Sequence, residues 1–196
     1  MTVGTQVRRL AALEVMPSLA ARRVLAVLVF AAATALGAHV SVPLPGTEVP
    51  VTLQTLFVIL SGLMLGPWLG AASQMTYIAA GLLGAPIFAL ALPGPLELVG
   101  PTGGYLLAFP VGAWVAGRLA GPPRPGALAL ARVGVAAALG SAVILLSGAA
   151  RLSLLVGGPG RAMVLGVSPF LAGDCVKLCL ALLASGRLRS RTLGLL

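Results

Sequence analysis

Asp174 and Lys177 lie three residues apart in a stretch that is otherwise apolar from Pro169 to Ala184. On a helix that spacing puts both side chains on one face, where they can meet the same neighbour or each other. A charge near the centre of a membrane helix costs about 2.5–3.5 kcal/mol by insertion scales, so two such groups need compensation. One reading is an ion pair that ties the last helix to its bundle. The other is a polar patch that receives a small polar ligand, since ionisable groups inside membranes mark functional sites. Ser168 and Pro169 read as a helix N-cap and first helical position. With a rise of about 1.5 Å per residue, Asp174 then sits about 7 Å and Lys177 about 12 Å from the helix start, near one membrane face.

Other polar groups are candidates for the same pocket. Gln54, Ser73, Gln74, Thr76 and Tyr77 are the polar side chains of a long apolar region. An amide or phenol in lipid needs a partner inside the bundle, so each serves as helix glue alone and all can line a cavity together. The string GPTGGY, Gly100 to Tyr105, brings backbone amides, Gly103, the Thr102 hydroxyl and the Tyr105 phenol to the mouth of a helix. Glycine lets backbone approach a ligand, and helix N-termini favour anionic groups. It is not a phosphate loop, because no Lys-Ser/Thr pair follows. Cys175 and Cys179 cannot join within one helix and supply too few ligands for zinc. They read as small packing residues, and no metal or other cofactor is expected. His39, the chain's single histidine, reads as a wetted boundary residue. A serine hydrolase built on Ser147 with His39 as base is the enzymatic alternative, but the flanking pattern is weak and no catalytic residue is assigned.

The elements that must hold these groups follow from composition. The chain has 196 residues, 59% hydrophobic and 9% charged, with a mean hydropathy of +1.07. That excludes a soluble domain with a polar exterior and specifies an all-α integral membrane protein. One membrane domain is expected over 24–187, preceded by a cytoplasmic segment 1–23 and followed by a basic cytoplasmic tail 188–196. The first span runs from about Val24 to Val42 and ends in a Pro-rich loop. Ala31 with Ala35 and Ala33 with Gly37 give it a small-residue face, suited to packing within the bundle or to an intersubunit surface. Thr52 to Leu92 holds two spans divided at Gly66-Pro67. Pro86 to Gly104 is a Gly/Pro-rich lid. A fourth span covers about Tyr105 to Leu119 and a fifth Ala131 to Ala150. A glycine-rich turn, Gly157 to Ser168, leads to the sixth.

The net charge of +9 reflects arginines clustered between apolar runs rather than along an amphipathic face, so it reads as topology and not as nucleic-acid binding. The N-terminal segment, the fourth connection and the tail hold Arg8, Arg9, Arg22, Arg23, Arg118, Arg124, Arg132, Arg187, Arg189 and Arg191; the other side holds Arg151 and Arg161. By the positive-inside rule both termini are cytoplasmic, and the lid and the Asp174 pocket open outward.

Five strings now share one resemblance: VPVTLQT (Val49 to Thr55), GPWLGA (Gly66 to Ala71), GAPIF (Gly84 to Phe88), GPTGGY and FLAGDCVK (Phe170 to Lys177). In that order the chain resembles the BioY family, the biotin-capture (S) subunits of energy-coupling factor (ECF) transporters. The resemblance implies a compact six-helix bundle in the cytoplasmic membrane, surrounded by lipid, that holds biotin near its outer face. It also implies a transmembrane coupling subunit and two cytoplasmic ATPase subunits as partners. Carried over by position, Asp174 and Lys177 match the family's polar ligand contacts, and Tyr105 with Thr102 matches its glycine-rich lid motif; with Gly103 of that motif and with Gln54 and Tyr77 from the residue reading above, they make up the expected substrate-binding set. Lys177 would pair with the ureido oxygen of biotin or with its acid tail. Some members have an Asn in the lid and an Arg after the motif tyrosine. This chain has no Asn and carries Leu106 there, which leaves the carboxylate to Lys177, the lid amides or water. Capture of another vitamin, and a structural membrane protein in which Asp174 and Lys177 merely pair, are the remaining readings.

Overall fold

The computed structural model describes residues 18–90, 92 and 94–196. Residues 1–17 of the expected N-terminal segment, with Arg8 and Arg9, lie outside them. Helix α1 (Leu19–His39) is followed by a short antiparallel pair, β1 (Ser41–Val42) and β2 (Val51–Thr52), in the register Ser41 opposite Thr52. Then come α2 (Gln54–Leu82), α3 (Gly94–Val99), α4 (Gly103–Ala120), α5 (Ala127–Val156), α6 (Pro159–Gly166) and α7 (Ser168–Leu195). Four of these, α1, α2, α5 and α7, are long and apolar enough to cross a membrane. Large apolar side chains such as Leu36, Trp68, Leu128, Leu154 and Leu183 face outward on them. An exterior of that kind suits lipid and not water. The protein is an all-helical, multi-pass membrane protein.

Helix α2 reverses direction at Gly66, whose φ of 79° and ψ of 178° are not helical. Only glycine adopts that conformation freely, and Pro67 then starts the second leg without needing an amide partner. The reversal is visible in the packing: a Cβ on Gly70 would lie 2.7 Å from the Gly62 Cα, whereas eight residues of straight helix span about 12 Å. It also brings Gln54 within 2.6 Å of Tyr77. The legs are 54–65 and 67–82.

Helix α4 sits between α2 and α5, and its buried face is made largely of Gly112, Ala113, Ala116, Gly117 and Ala120. Without a hydrophobic drive between helices in lipid, small residues allow the close backbone approach that holds such bundles together. The small face of α1 is used inside the bundle: Ala31 and Gly37 are buried, and α1 packs on α2.

Several boundaries differ from the sequence reading. Helix α1 begins at Leu19, inside the segment expected to precede the bundle, and ends at His39, because the β1–β2 pairing takes over the chain at Ser41. The turn 157–168 contains α6, started by Pro159 after the positive-φ Gly157 and Gly158. Helix α7 runs on through the basic tail to Leu195. Ser168 is not an N-cap: Val167 holds that position, and the Ser168 hydroxyl donates to the Met163 carbonyl at 3.2 Å. Cys175 and Cys179 are exposed on α7 rather than packed in the interior, because the face they share is opposite the one carrying Asp174 and Lys177.

Candidate functional site

The buried face of α7 carries Phe170, Asp174, Lys177 and Ala181, at the three- and four-residue steps of one helical stripe. Asp174 and Lys177 are 5% and 7% exposed. The Lys177 Nζ lies 2.5 Å from Asp174 Oδ1, and also donates to Thr55 Oγ1 at 2.6 Å and to the Thr52 carbonyl at 3.3 Å. Asp174 Oδ2 accepts from Ser141 Oγ at 2.8 Å. All three ammonium donors are engaged, so each charge is compensated by its opposite and by neutral hydroxyl and carbonyl dipoles. Three helices meet at this cluster: α7 gives the charges, α2 gives Thr55 and α5 gives Ser141.

A cavity of about 50 Å³ opens beside the pair. Its polar wall is Thr52, Gln54, Thr55, Glu97, Thr102, Asp174 and Lys177, and its apolar wall includes Tyr105, Leu106, Phe109, Leu145 and Phe170. The Tyr105 and Phe170 rings lie 6.1 Å apart, and the Tyr105 hydroxyl donates to the Gly166 carbonyl at 2.7 Å, which fixes the ring in the wall. Thus Asp174 and Lys177 of α7, Tyr105 and the N-cap Thr102 of α4, and Gln54 of α2 are brought together from three separate elements.

Gly103 and Tyr77 are not in that wall. A Cβ on Gly103 would fall 1.8 Å from the Leu98 carbonyl oxygen, so this glycine lets α3 lie against the start of α4. Tyr77 is a tether: its hydroxyl accepts from Gln54 Nε2 and donates to the Ile87 carbonyl at 3.0 Å, and its ring meets Phe88 edge-on at 5.6 Å. Ser73 and Gln74 build a separate buried network in which Gln74 accepts from Thr34 and donates to Ser61 and Ser73. Thr76 donates to the Ala72 carbonyl of its own helix. These three are glue and do not line the cavity: the Gly66 reversal turns Gln74, with Ser73 beside it, toward α1 and the first leg of α2, and Thr76 bonds within its own helix. His39 Nδ1 lies 2.8 Å from the Ala35 carbonyl oxygen, Ser147 is exposed, and no hydrogen bond joins them.

Sequence reasoning passed over three polar wall residues, Thr52, Thr55 and the acidic Glu97. Glu97 is fully buried, and its carboxylate accepts from the Leu90 and Leu92 amides at 3.2 and 3.3 Å and from the Thr102 hydroxyl at 3.3 Å. One side chain thereby gathers both ends of the lid. Arg151 of α5 caps the other end of α3 by donating to the Val99 carbonyl at 2.5 Å. The available signal was that Glu97 is the single acidic residue between Val49 and Gly173: a carboxylate in an apolar loop needs donors around it.

The comparisons with known proteins agree with one another. The sequence model of the BioY family matches residues 9–193. The chain is 40% identical over 172 residues to a probable biotin transporter BioY of Pyrococcus horikoshii, covering 88% of this chain and 99% of that protein. It is also 40% identical over 161 residues to the biotin transporter BioY of Thermotoga maritima, covering 82% and 92%. Its fold is similar to a crystal structure of the S-component for biotin from an ECF-type ABC transporter, with a TM-score of 0.74 and 22% identity over 96% of this chain and 94% of that one. On the family match and these relatives, the chain belongs to the BioY family.

Proposed function

We propose that this protein binds biotin and serves as the substrate-specific subunit of an ECF-type vitamin transporter. The observation that carries the reading is the buried Asp174–Lys177 pair in the wall of a cavity that is otherwise largely aromatic and aliphatic. A carboxylate touching an ammonium presents an acceptor beside a donor. The ureido ring of biotin presents the complement, an N–H beside a carbonyl. The acid tail fits less well there, because Asp174 would repel it. Asp174 therefore accepts a ureido N–H and Lys177 donates to the ureido oxygen, which displaces the weakest existing partner, the Thr52 carbonyl at 3.3 Å. The bicycle lies against Tyr105, Phe109 and Phe170, and the tail points to the lid at Thr102.

Small-molecule sites measure about 300–1,000 Å³, and the cavity here is about 50 Å³. A guest of biotin's size must displace part of the wall. The parts without long-helix support are the β1–β2 connection, with Val49 and Pro50, and the lid at Ala89 and Glu97. Opening of these segments is the expected entry step.

Counting the two legs of α2 separately, six helical segments cross the cytoplasmic membrane, with both termini inside and the lid outside. The charge distribution supports this orientation, since Arg118, Arg124, Arg132, Arg187, Arg189 and Arg191 gather at one end of the bundle. Energy comes from partners, a transmembrane coupling subunit and two ATPase subunits. Equilibrium binding of labelled biotin to the purified protein, with desthiobiotin and other vitamins as competitors, tests the reading. Saturable binding displaced by desthiobiotin and not by the other vitamins is expected. Failure to bind biotin, or displacement by an unrelated vitamin, would refute it.

A further inference from the structure

The end of the bundle opposite Asp174 holds a second cavity, about 580 Å³, between the N-terminus of α5 and the C-terminal part of α7. Leu130 and Val133 form its apolar side, and Arg124, Arg189 and Ser190 its polar side. The size falls within the range of small-molecule sites. The charge around it is unbalanced. The acidic residues among the described ones are Glu48, Glu97 and Asp174; Glu97 and Asp174 line the other cavity, and Glu48 lies in the β1–β2 connection beside it.

The positive groups here have donors to spare. Arg189 is 5% exposed and donates to the Leu63 carbonyl at 2.9 Å and to the Gly121 carbonyl. Two of its five N–H groups are thereby used. Arg124 and Ser190 are exposed and make no hydrogen bond or ion pair among the described residues. Helix α5 starts after Gly126 with no side-chain cap and no acid in its first turn, so its free amides and dipole add positive potential. Trp68 and Trp114 meet edge-on with centroids 6.1 Å apart. Trp68 opens the second leg of α2 and Trp114 lies on α4, both of which run to this end, and tryptophans concentrate at the headgroup level of a bilayer.

We propose that this cavity seats an anionic phospholipid, its phosphate against Arg124, Arg189 and the α5 amides and the start of one acyl chain along Leu130 and Val133. An apolar wall continuous with a cationic one matches a lipid headgroup better than a free anion, and basic pockets between membrane helices take such headgroups. The cavity chemistry stands independently of the biotin site. Only its assignment to the inner leaflet rests on the orientation proposed above.

The test uses the purified full chain in neutral detergent with phosphatidylglycerol, phosphatidylcholine or inorganic phosphate added. Bound lipid is counted by native mass spectrometry and the unfolding temperature is recorded. Phosphatidylglycerol should be retained about tenfold over phosphatidylcholine, and Arg124→Gln should lower that retention about fivefold. Arg161→Gln, outside the cavity, should leave it unchanged. Equal retention of the two lipids overturns the proposal, as does an equal effect of Arg161→Gln, which would indicate bulk charge. Stabilisation by inorganic phosphate as large as that by phosphatidylglycerol would also overturn it, in favour of a soluble anion. Biotin affinity read in the same samples should not change in Arg124→Gln. Loss of biotin binding with lipid retention intact would count against the transport reading and leave this cavity standing.

Discussion

The two ends of the bundle solve the same problem, a charge among apolar helices, in different ways. At the cavity end, Asp174 and Lys177 neutralise each other and complete their bonding with Ser141, Thr55 and the Thr52 carbonyl. At the basic end, Arg189 donates to the carbonyls of Leu63 and Gly121, and Arg132 Nε donates to that of Leu119 at 2.7 Å. Those carbonyls lie just before the Gly66 reversal and at the end of α4, where no intrahelical amide reaches them. The difference concerns exchangeability. Neutral groups around an ion pair can be replaced by a ligand's own donor and acceptor, with the opposite charge still present. A guanidinium clamped on helix ends holds backbone in place and has no such spare partner to release.

The contrast can be broken in graded ways. Asp174→Leu strands the Lys177 ammonium, and leaving one member of a buried pair uncompensated costs about 3–5 kcal/mol. Unfolding in detergent should reveal a loss of that size, and Asp174→Leu with Lys177→Met should recover most of it without recovering biotin binding. Equal instability of the single and double variants would mean that the charges are not each other's compensation. Arg189→Met removes two carbonyl contacts to a charged donor, and should cost about 2–3 kcal/mol while shifting biotin affinity less than about twofold. A large affinity loss there would erase the distinction between the ends. Glu97→Gln weakens the hold on the Leu90 and Leu92 amides by about 1–2 kcal/mol. Stopped-flow release should then show biotin leaving about tenfold faster, with global stability little changed. Arg132→Gln is the mildest: an exposed helix-end cation contributes about 0.5 kcal/mol, seen as a small fall in unfolding temperature alone.

The sequence announced the pair more clearly than its surroundings. Two opposite charges three apart in an apolar helix specify one face and demand compensation, and Gly66-Pro67 marks the reversal that places Gln54 beside Tyr77. The partners were hidden because they are distant in the chain: Ser141 is 33 residues from Asp174, and Thr55 is 122 from Lys177. A lone hydroxyl in an apolar run has no spacing that distinguishes ligand from glue. Ser73, Gln74 and Thr76 looked as suitable for the cavity as Gln54 did. The packing of the second leg on α1 and on the first leg, a tertiary property, engaged Ser73 and Gln74 elsewhere, and Thr76 bonds within its own helix. The boundaries that moved, at α6, β1 and the end of α7, lie where few residues and weak periodicity leave tertiary packing to decide.

In the proposed function the acid–base pair on α7 is the docking place of the ureido group. Isothermal titration of biotin into the purified Asp174→Asn variant tests it most directly, because the amide keeps the shape and removes the charge and half of the acceptor capacity. Affinity should fall at least about tenfold, equivalent to about 1.4 kcal/mol, in a protein that still unfolds cooperatively. Wild-type affinity in that folded variant would contradict it.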